Sequence, residues 1–330
     1  MQLIKSKLPE GAEVIAPKGD YMSRYDCALD DVKHLAPEAD AIIGLSLPEG
    51  LLDHASKLKV FSWMHSGVDD LVTTGAVDRF RAHGVKLANI SGSNAVAVAE
   101  HAMMFVLALA KRTLAKHKAM DEGRMVFPIF SPDTQSSMLQ GRTIGIIGVG
   151  SIGGRVAKHA KAFDMQVLGV RRSRSGTALE HVDSQYGIDE LHSVLARCDF
   201  VVLATPDTKE THGFFGKAEL AAMKESAYLI NVSRGMVVKE QALYDALTTN
   251  QIAGFAADVW WHYDYGRTFP MNPWGSRLSV HKLPNVLTSN DQAANAQGVH
   301  ERNIEWAAEN VAEFFAGKLM KREVDLALGY

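Results

Sequence analysis

Residues 141–174 read GRTIGIIGVGSIGGRVAKHAKAFDMQVLGVRRSR. Thr143–Ile147 is a short, largely β-branched run of the kind a buried parallel strand needs. It enters Gly148-x-Gly150-x-x-Gly153, and a helical pattern begins at Ile152. The first glycine permits a tight turn, the second lets a pyrophosphate approach the backbone, and the third lets helix pack on strand. The N–H groups that open the helix, at Ser151 and Ile152, face the phosphates. A second strand at 166–170 follows at the spacing of a βαβ unit, which predicts a dinucleotide site. At the end of that strand, an NAD site usually carries Asp or Glu for the ribose 2′-hydroxyl, about 20 residues after the glycines. Here the chain has Arg171, Arg172, Ser173 and Arg174. A carboxylate would repel a 2′-phosphate, whereas three guanidiniums and a hydroxyl suit one, so the expected cofactor is NADP in preference to NAD.

The 330 residues are 47% hydrophobic and 22% charged, a composition of a folded globular chain long enough for two domains. A net charge of −3 gives no electrostatic reason to expect nucleic acid or a membrane as partner. Cys27 and Cys198 lie far apart and without metal-ligand spacing, so neither a disulfide nor a metal site is expected. The start, MQLIKSKLPEG, lacks the apolar region of a signal peptide, and a cytoplasmic protein is the expectation. The most apolar segment, 95–110, contains Glu100 and His101 and is shorter than the ~20 residues of a membrane span; it reads as a buried helix.

Along the chain, residues 1–92 alternate strand-like pieces (13–16, 41–45, 58–63, 85–89) with helical ones, a small α/β unit. Between two of these strands, MHSGVDD at 64–70 places Gly67 and Val68 where backbone N–H groups can reach a small ligand. Ser93 and Asn94 are suitable caps for a long helix over 95–116. From Gly141 a fuller α/β unit begins, with strands at Thr143–Ile147, 166–170, 199–204, 227–232, 254–259 and Val286–Thr288, a doubly wound parallel sheet. The last helix, Val299–Phe315, carries Ile304, Ala307, Val311 and Phe314 on one face and is expected to return to the first domain. The irregular segment 261–283 is long for a compact protein, which points to function.

Four stretches, SGSNAVAVAEH (91–101), the glycine stretch, TPDTKETHGFFGKAELAAMKESAYLINVSRGMVVKEQALYDAL (205–247) and AGFAADVW (253–260), resemble the D-isomer-specific 2-hydroxyacid dehydrogenases, a group that includes glyoxylate/hydroxypyruvate reductases, phosphoglycerate dehydrogenase and formate dehydrogenase. The resemblance covers nearly the whole chain. It implies two Rossmann-like or flavodoxin-like domains: a substrate domain of residues 1–94 and 293–330, and an NADP-binding Rossmann domain of 95–292, in a homodimer formed through the cofactor domain. It places the substrate-carboxylate arginine at Arg234, where a planar fork can orient a carbonyl carbon towards nicotinamide. Asp258 matches the residue at the nicotinamide carboxamide, and Pro206, Val232 and Ser233 fall in the cofactor-binding stretches. Asn94 and the Gly67–Val68 backbone match substrate-holding positions.

The departure is at the acid/base. The family's histidine, in a TPH motif, falls on Asn290 in LTSNDQAANAQG, and its partner glutamate falls on Tyr263. An amide can hydrogen-bond a carbonyl oxygen but cannot give up and recover a proton as imidazole does. General acids contribute ~10²–10⁴ in rate, so 2-keto acid reduction requires a substitute. Tyr263 and His262 stand at the lost glutamate's position; Asp264, Tyr265, His281, His65 and His101 are further candidates. The expected activity is NADP-dependent hydride transfer with a small 2-hydroxy or 2-keto acid. Its rivals are a formate-like hydride transfer needing no acid/base, and an NADP-binding protein without turnover.

Overall fold

A computed structural model describes residues 2–19, 27–124, 134–172, 177–262 and 275–328. They form two compact units: residues up to Asn94 together with those from Ala296 onward, and the described residues between Ala95 and Asn295.

The first unit holds a three-stranded parallel sheet in the order β1 (Ala41–Gly44), β2 (Val60–Trp63), β3 (Lys86–Ala88). β2 is buried along its whole length because both faces are covered. Phe61 and Trp63 point into a core with Phe80, Leu87 and Val77. Their neighbours Val60 and Ser62 face the helix Val299–Phe315, through Val311 and Asn310. That helix belongs to this unit. Residues 13–16, expected as a strand, pair with no strand among the described residues; Ile15 is 60% exposed, and an isolated extended run gains no ladder bonds.

The second unit is built on seven parallel strands, β4 (Thr143–Ile147), β5 (Gln166–Arg171), β6 (Ser184–Gly187), β7 (Phe200–Leu203), β8 (Tyr228–Asn231), β9 (Gly254–Ala257) and β10 (Val286–Thr288), in the order β10-β9-β8-β7-β4-β5-β6. Side chains alternate between two cores. Ile144, Ile146, Phe200, Val202, Ile230 and Ala256 pack with the helices Ala95–Lys111 and Ser151–Ala162. Ile147, Val201, Leu203, Leu229 and Phe255 pack with Leu195, Leu220 and Leu243 on the other face. The single helix expected over 95–116 breaks at Arg112, whose φ is +52°, into Ala95–Lys111 and Thr113–Asp121. The apolar face that holds the first piece in the core stops there; in the second only Ala119 is buried. Ser93, expected as a cap, keeps a buried hydroxyl with no hydrogen-bond partner. No described helix is long and apolar enough to cross a membrane.

Candidate active site

The strand order reverses at β4, with β5 and β6 on one side and β7 to β10 on the other. Ligands of open α/β sheets bind beyond the carboxyl ends of the strands at such a switch point. The glycine turn leaves β4 there. Gly148 has φ +98°, and a Cβ on it would lie 2.6 Å from Ala204 O, so only glycine fits. A Cβ on Gly153 would strike the Gly148 carbonyl. The helix Ser151–Ala162 has no side-chain cap bond and no acidic residue in its first turn. Beside Gly148, at the end of β7, Thr205 Oγ1 is buried without a partner. A turn without room for a side chain, an orphan hydroxyl and an uncapped helix start together fit a pyrophosphate. Gly148 N donates to Val170 O at 2.9 Å, which fixes Arg171, the exposed last residue of β5, immediately beyond the turn. Arg172 is exposed next to it; Ser173 and Arg174 lie outside the described residues.

Arg234 is delivered by Asn231, the fully buried last residue of β8. Asn231 Oδ1 accepts from Ser233 N (3.0 Å) and Ser233 Oγ (2.7 Å), and its Nδ2 donates to Arg234 O (2.9 Å). Arg234 is half-buried in extended conformation, with Nη1 donating to Ser233 O at 2.9 Å. Val232 is buried and Pro206 exposed, at the ends of β8 and β7.

Asp258, 4% exposed, follows β9 and holds the loop after β10. Its Oδ1 accepts from Ser289 Oγ (2.5 Å) and Gln292 N (2.8 Å), and Oδ2 accepts from Ala293 N (3.0 Å). Trp260 Nε1 donates to Ser289 O at 2.9 Å. Asn290 thus sits on a loop pinned at both sides and is itself exposed. His101 reaches the same loop: its Nε2 is 2.8 Å from Ser289 Oγ and 3.9 Å from Asp258 Oδ1.

The other candidate donors are placed differently. His262 Nε2 lies 3.6 Å from Glu240 Oε2, and Glu240 also accepts from Ser276 Oγ and Leu278 N, so this histidine belongs to a loop anchor. His281 packs edge-on against Trp260 with Nδ1 buried and without a partner, and burial, together with Lys282, pushes its pKa down. Tyr263, Asp264 and Tyr265 lie outside the described residues.

In the first unit, Trp63 Nε1 donates to Gly67 O (3.1 Å), Asn89 Nδ2 donates to Ser66 O (3.2 Å), and Ser66 Oγ donates to Asn94 Oδ1 (3.4 Å). This brings Gly67, buried Val68 and Asn94 into one loop cluster. His65 lies over Trp63, with Nε2 3.1 Å from Leu45 O. No His, Cys, Asp and Glu grouping among the described residues could hold a metal. Sequence reasoning passed over Thr205 and Ser289; each was visible only as the residue beside an expected one, Pro206 and Asn290.

The family model for the D-isomer specific 2-hydroxyacid dehydrogenase NAD binding domain matches residues 103–290. A glyoxylate reductase of Korarchaeum cryptofilum is 30% identical over 322 residues, 95% of this chain and 90% of the relative. A D-3-phosphoglycerate dehydrogenase of Archaeoglobus fulgidus is 29% identical over 88% of this chain, which spans 52% of that longer protein. Among solved structures, a D-isomer specific 2-hydroxyacid dehydrogenase of Xanthobacter autotrophicus, in complex with NADPH and MES, superposes with a TM-score of 0.71 at 27% identity, covering 88% of this chain and 85% of that one.

Proposed function

Since the chain belongs to the D-isomer-specific 2-hydroxyacid dehydrogenase family, whose members are NAD(P)-dependent oxidoreductases of 2-hydroxy and 2-keto acids, we propose that it transfers a hydride between NADP and a small 2-hydroxy or 2-keto acid, with a proton donor other than the family's histidine. The observation that carries this is the carboxyl edge of the second sheet. There the glycine turn, the orphan Thr205 hydroxyl and Arg171 lie together at the switch point, and Asn231 presents Arg234 at the end of β8. When bound, the nicotinamide supplies or takes the hydride. The residues Gly148, Gly150, Ser151, Ile152, Gly153 and Thr205 hold its pyrophosphate, Arg171, with Arg172, Ser173 and Arg174, holds the 2′-phosphate, and Pro206, Val232, Ser233 and Asp258 complete the cofactor site. Arg234 clamps the substrate carboxylate as a fork, and Asn94 with the Gly67–Val68 backbone completes the substrate side. Residues 1–94 and 293–330 form the substrate domain in this reading, and 95–292 the cofactor domain.

The second reading is an NADP(H)-binding protein without dehydrogenase turnover, or one whose hydride transfer needs no acid/base, as with formate. Asn290 favours it, since an exposed amide stands where the family's imidazole does. Turnover of glyoxylate, hydroxypyruvate and formate with NADPH/NADP and with NADH/NAD, beside binding titrations, separates these. Reduction of a 2-keto acid with NADPH preferred over NADH, reversed by Arg171→Asp, is expected. Tight NADPH binding with no turnover on such a panel would favour the second reading, and equal affinity for both cofactors would sink the NADP assignment.

The working form in this proposal is a cytoplasmic homodimer, supported by an open apolar groove on the second unit and by unpaired Cys27 and Cys198, the latter a thiol that burial pushes up to about 12.

A further inference from the structure

Asp258, Ser289 and His101 form a continuous chain of polar groups that ends one residue from Asn290. The hydroxyl is 2.5 Å from Asp258 Oδ1 and 2.8 Å from His101 Nε2. A carboxylate accepts only, so the serine proton lies towards Asp258 and the imidazole must be the donor at Nε2. The ring of His101 is held edge-to-face against Phe105, with centroids 4.6 Å apart, and its side chain is 19% exposed, so it can regain a proton from solvent. Asp258 Oδ1 lies 3.9 Å from the same ring nitrogen. Glu100, the neighbour on the same helix, lines a groove with Met103 and Met104. His262 and His281, by contrast, are committed to Glu240 and to Trp260.

We propose that His101, acting through Ser289, replaces the missing histidine as the proton source for 2-keto acid reduction, with Asp258 as the counter-charge. The proposal rests on the hydride-transfer reading above. A bound dihydronicotinamide would supply the hydride to the carbonyl carbon and would itself be oxidised, leaving the carbonyl π pair on oxygen to be protonated by this chain's own residues. The Ser289 O–H, rotated from Asp258 Oδ1 towards the substrate, breaks to that oxygen, giving the alcohol, and the His101 Nε2–H breaks to Ser289 Oγ. A proton from solvent then restores His101. Ser289 touches the reacting oxygen; His101 is a positioning and relay residue behind it.

Two measurements test this on the full chain. The first is the pH profile of kcat for NADPH-dependent reduction of glyoxylate and hydroxypyruvate, in the native protein and in His101→Gln, Ser289→Ala and Ser289→Thr. A protonated donor makes kcat fall as pH rises through its ionisation. His101→Gln is expected to lower kcat by about 10²–10⁴-fold and to delete that limb, with NADPH affinity unchanged. Ser289→Ala should do likewise, and Ser289→Thr, which keeps the hydroxyl, should retain most of the activity. A limb that survives in His101→Gln overturns the relay and leaves the hydride-transfer reading standing. Absence of any 2-keto acid turnover in the native protein, with NADPH bound, overturns both. The second needs no turnover and no folded variant: nitrogen-15 NMR of the imidazoles in the native protein, with His101 expected as the Nε2–H tautomer when neutral. A proton on Nδ1 instead reverses the donor order and overturns the relay by itself.

Discussion

Arg234 shows how one residue depends on another that is fully buried beneath it. Asn231 spends its whole amide on the turn that carries Arg234, accepting from Ser233 and donating to the Arg234 carbonyl. The backbone beyond is fixed too, because Gly235 packs on the Trp260–Trp261 peptide so closely that no side chain fits. If the guanidinium holds a carboxylate by two parallel bonds, Arg234→Lys keeps the charge and loses the fork. The Michaelis constant for the keto acid should then rise on the order of 10–100-fold while NADPH affinity is kept. Steady-state kinetics beside a fluorescence titration check this, and unchanged kinetics would remove Arg234 from the site. Asn290 gives a second residue-scale prediction. Asn290→His puts an imidazole where the proposed reading expects the family's histidine, without its glutamate. With a working relay through Ser289 it should leave the rate of keto acid reduction similar or lower, because a second titratable group would compete for the same oxygen. A large gain, on the order of the 10²–10⁴ of a general acid, would mean that the native protein has no donor at all.

At the scale of elements, the polar ties between segments distant in sequence decide what the chain does and were the hardest to foresee. β4, its glycine turn and the next helix are legible in the sequence, because a strand buried on both faces must be an unbroken apolar run and the turn admits only glycine. β6 was not legible: Ser184, Gln185, Tyr186 and Gly187 lie at the sheet edge, largely half-buried, and carry no apolar pattern. Nor was the clamp of Asp258 on residues 289–293, since it joins groups more than 30 positions apart and leaves no local signal. The same holds for Asn310 in the last helix. Its periodicity announced an apolar face, but the fully buried Asn310 sits within that face, donating to Ser62 Oγ (3.1 Å) and Asn89 O (2.8 Å) and accepting from Arg322 Nε (2.9 Å). Arg322 in turn lies over the Trp306 ring, 4.6 Å from its centroid. Asn310→Ala would leave the buried Ser62 hydroxyl, a carbonyl and a guanidinium short of a partner, a loss of about 2–4 kcal/mol. Denaturant unfolding should show it as a lower midpoint with unchanged slope. A loss below about 0.5 kcal/mol, the range of ordinary surface substitutions, would mean that water replaces these bonds at little cost.

At the scale of the whole molecule, the helix Ala95–Lys111 has more apolar surface than its own unit covers. Val98, Ala102, Phe105 and Val106 are in the core, whereas Met104 is 42% exposed and Phe163 39%. Together with Met103, Leu107 and Ala162 these line an open groove of about 520 Å³. A two-fold interface places one surface against itself. This surface suits that, because Glu100 lies on the groove near the start of the helix and Lys111 at its end, 11 residues or about 16 Å away, with His159 lining it as well. An antiparallel pairing of two such helices brings acid to base at both ends while the methionines and Phe163 meet in the middle. Light scattering of the purified chain should therefore give twice the 36.0 kDa chain mass. Met104→Glu would put two carboxylates in the apolar centre, where burial of a charge is costly, and should yield a 36.0 kDa monomer. It leaves the core-facing side of the helix intact, so NADPH binding in dilute solution should persist. A native chain that is monomeric at micromolar concentration, or a Met104→Glu variant that remains dimeric, would place the interface elsewhere or remove it.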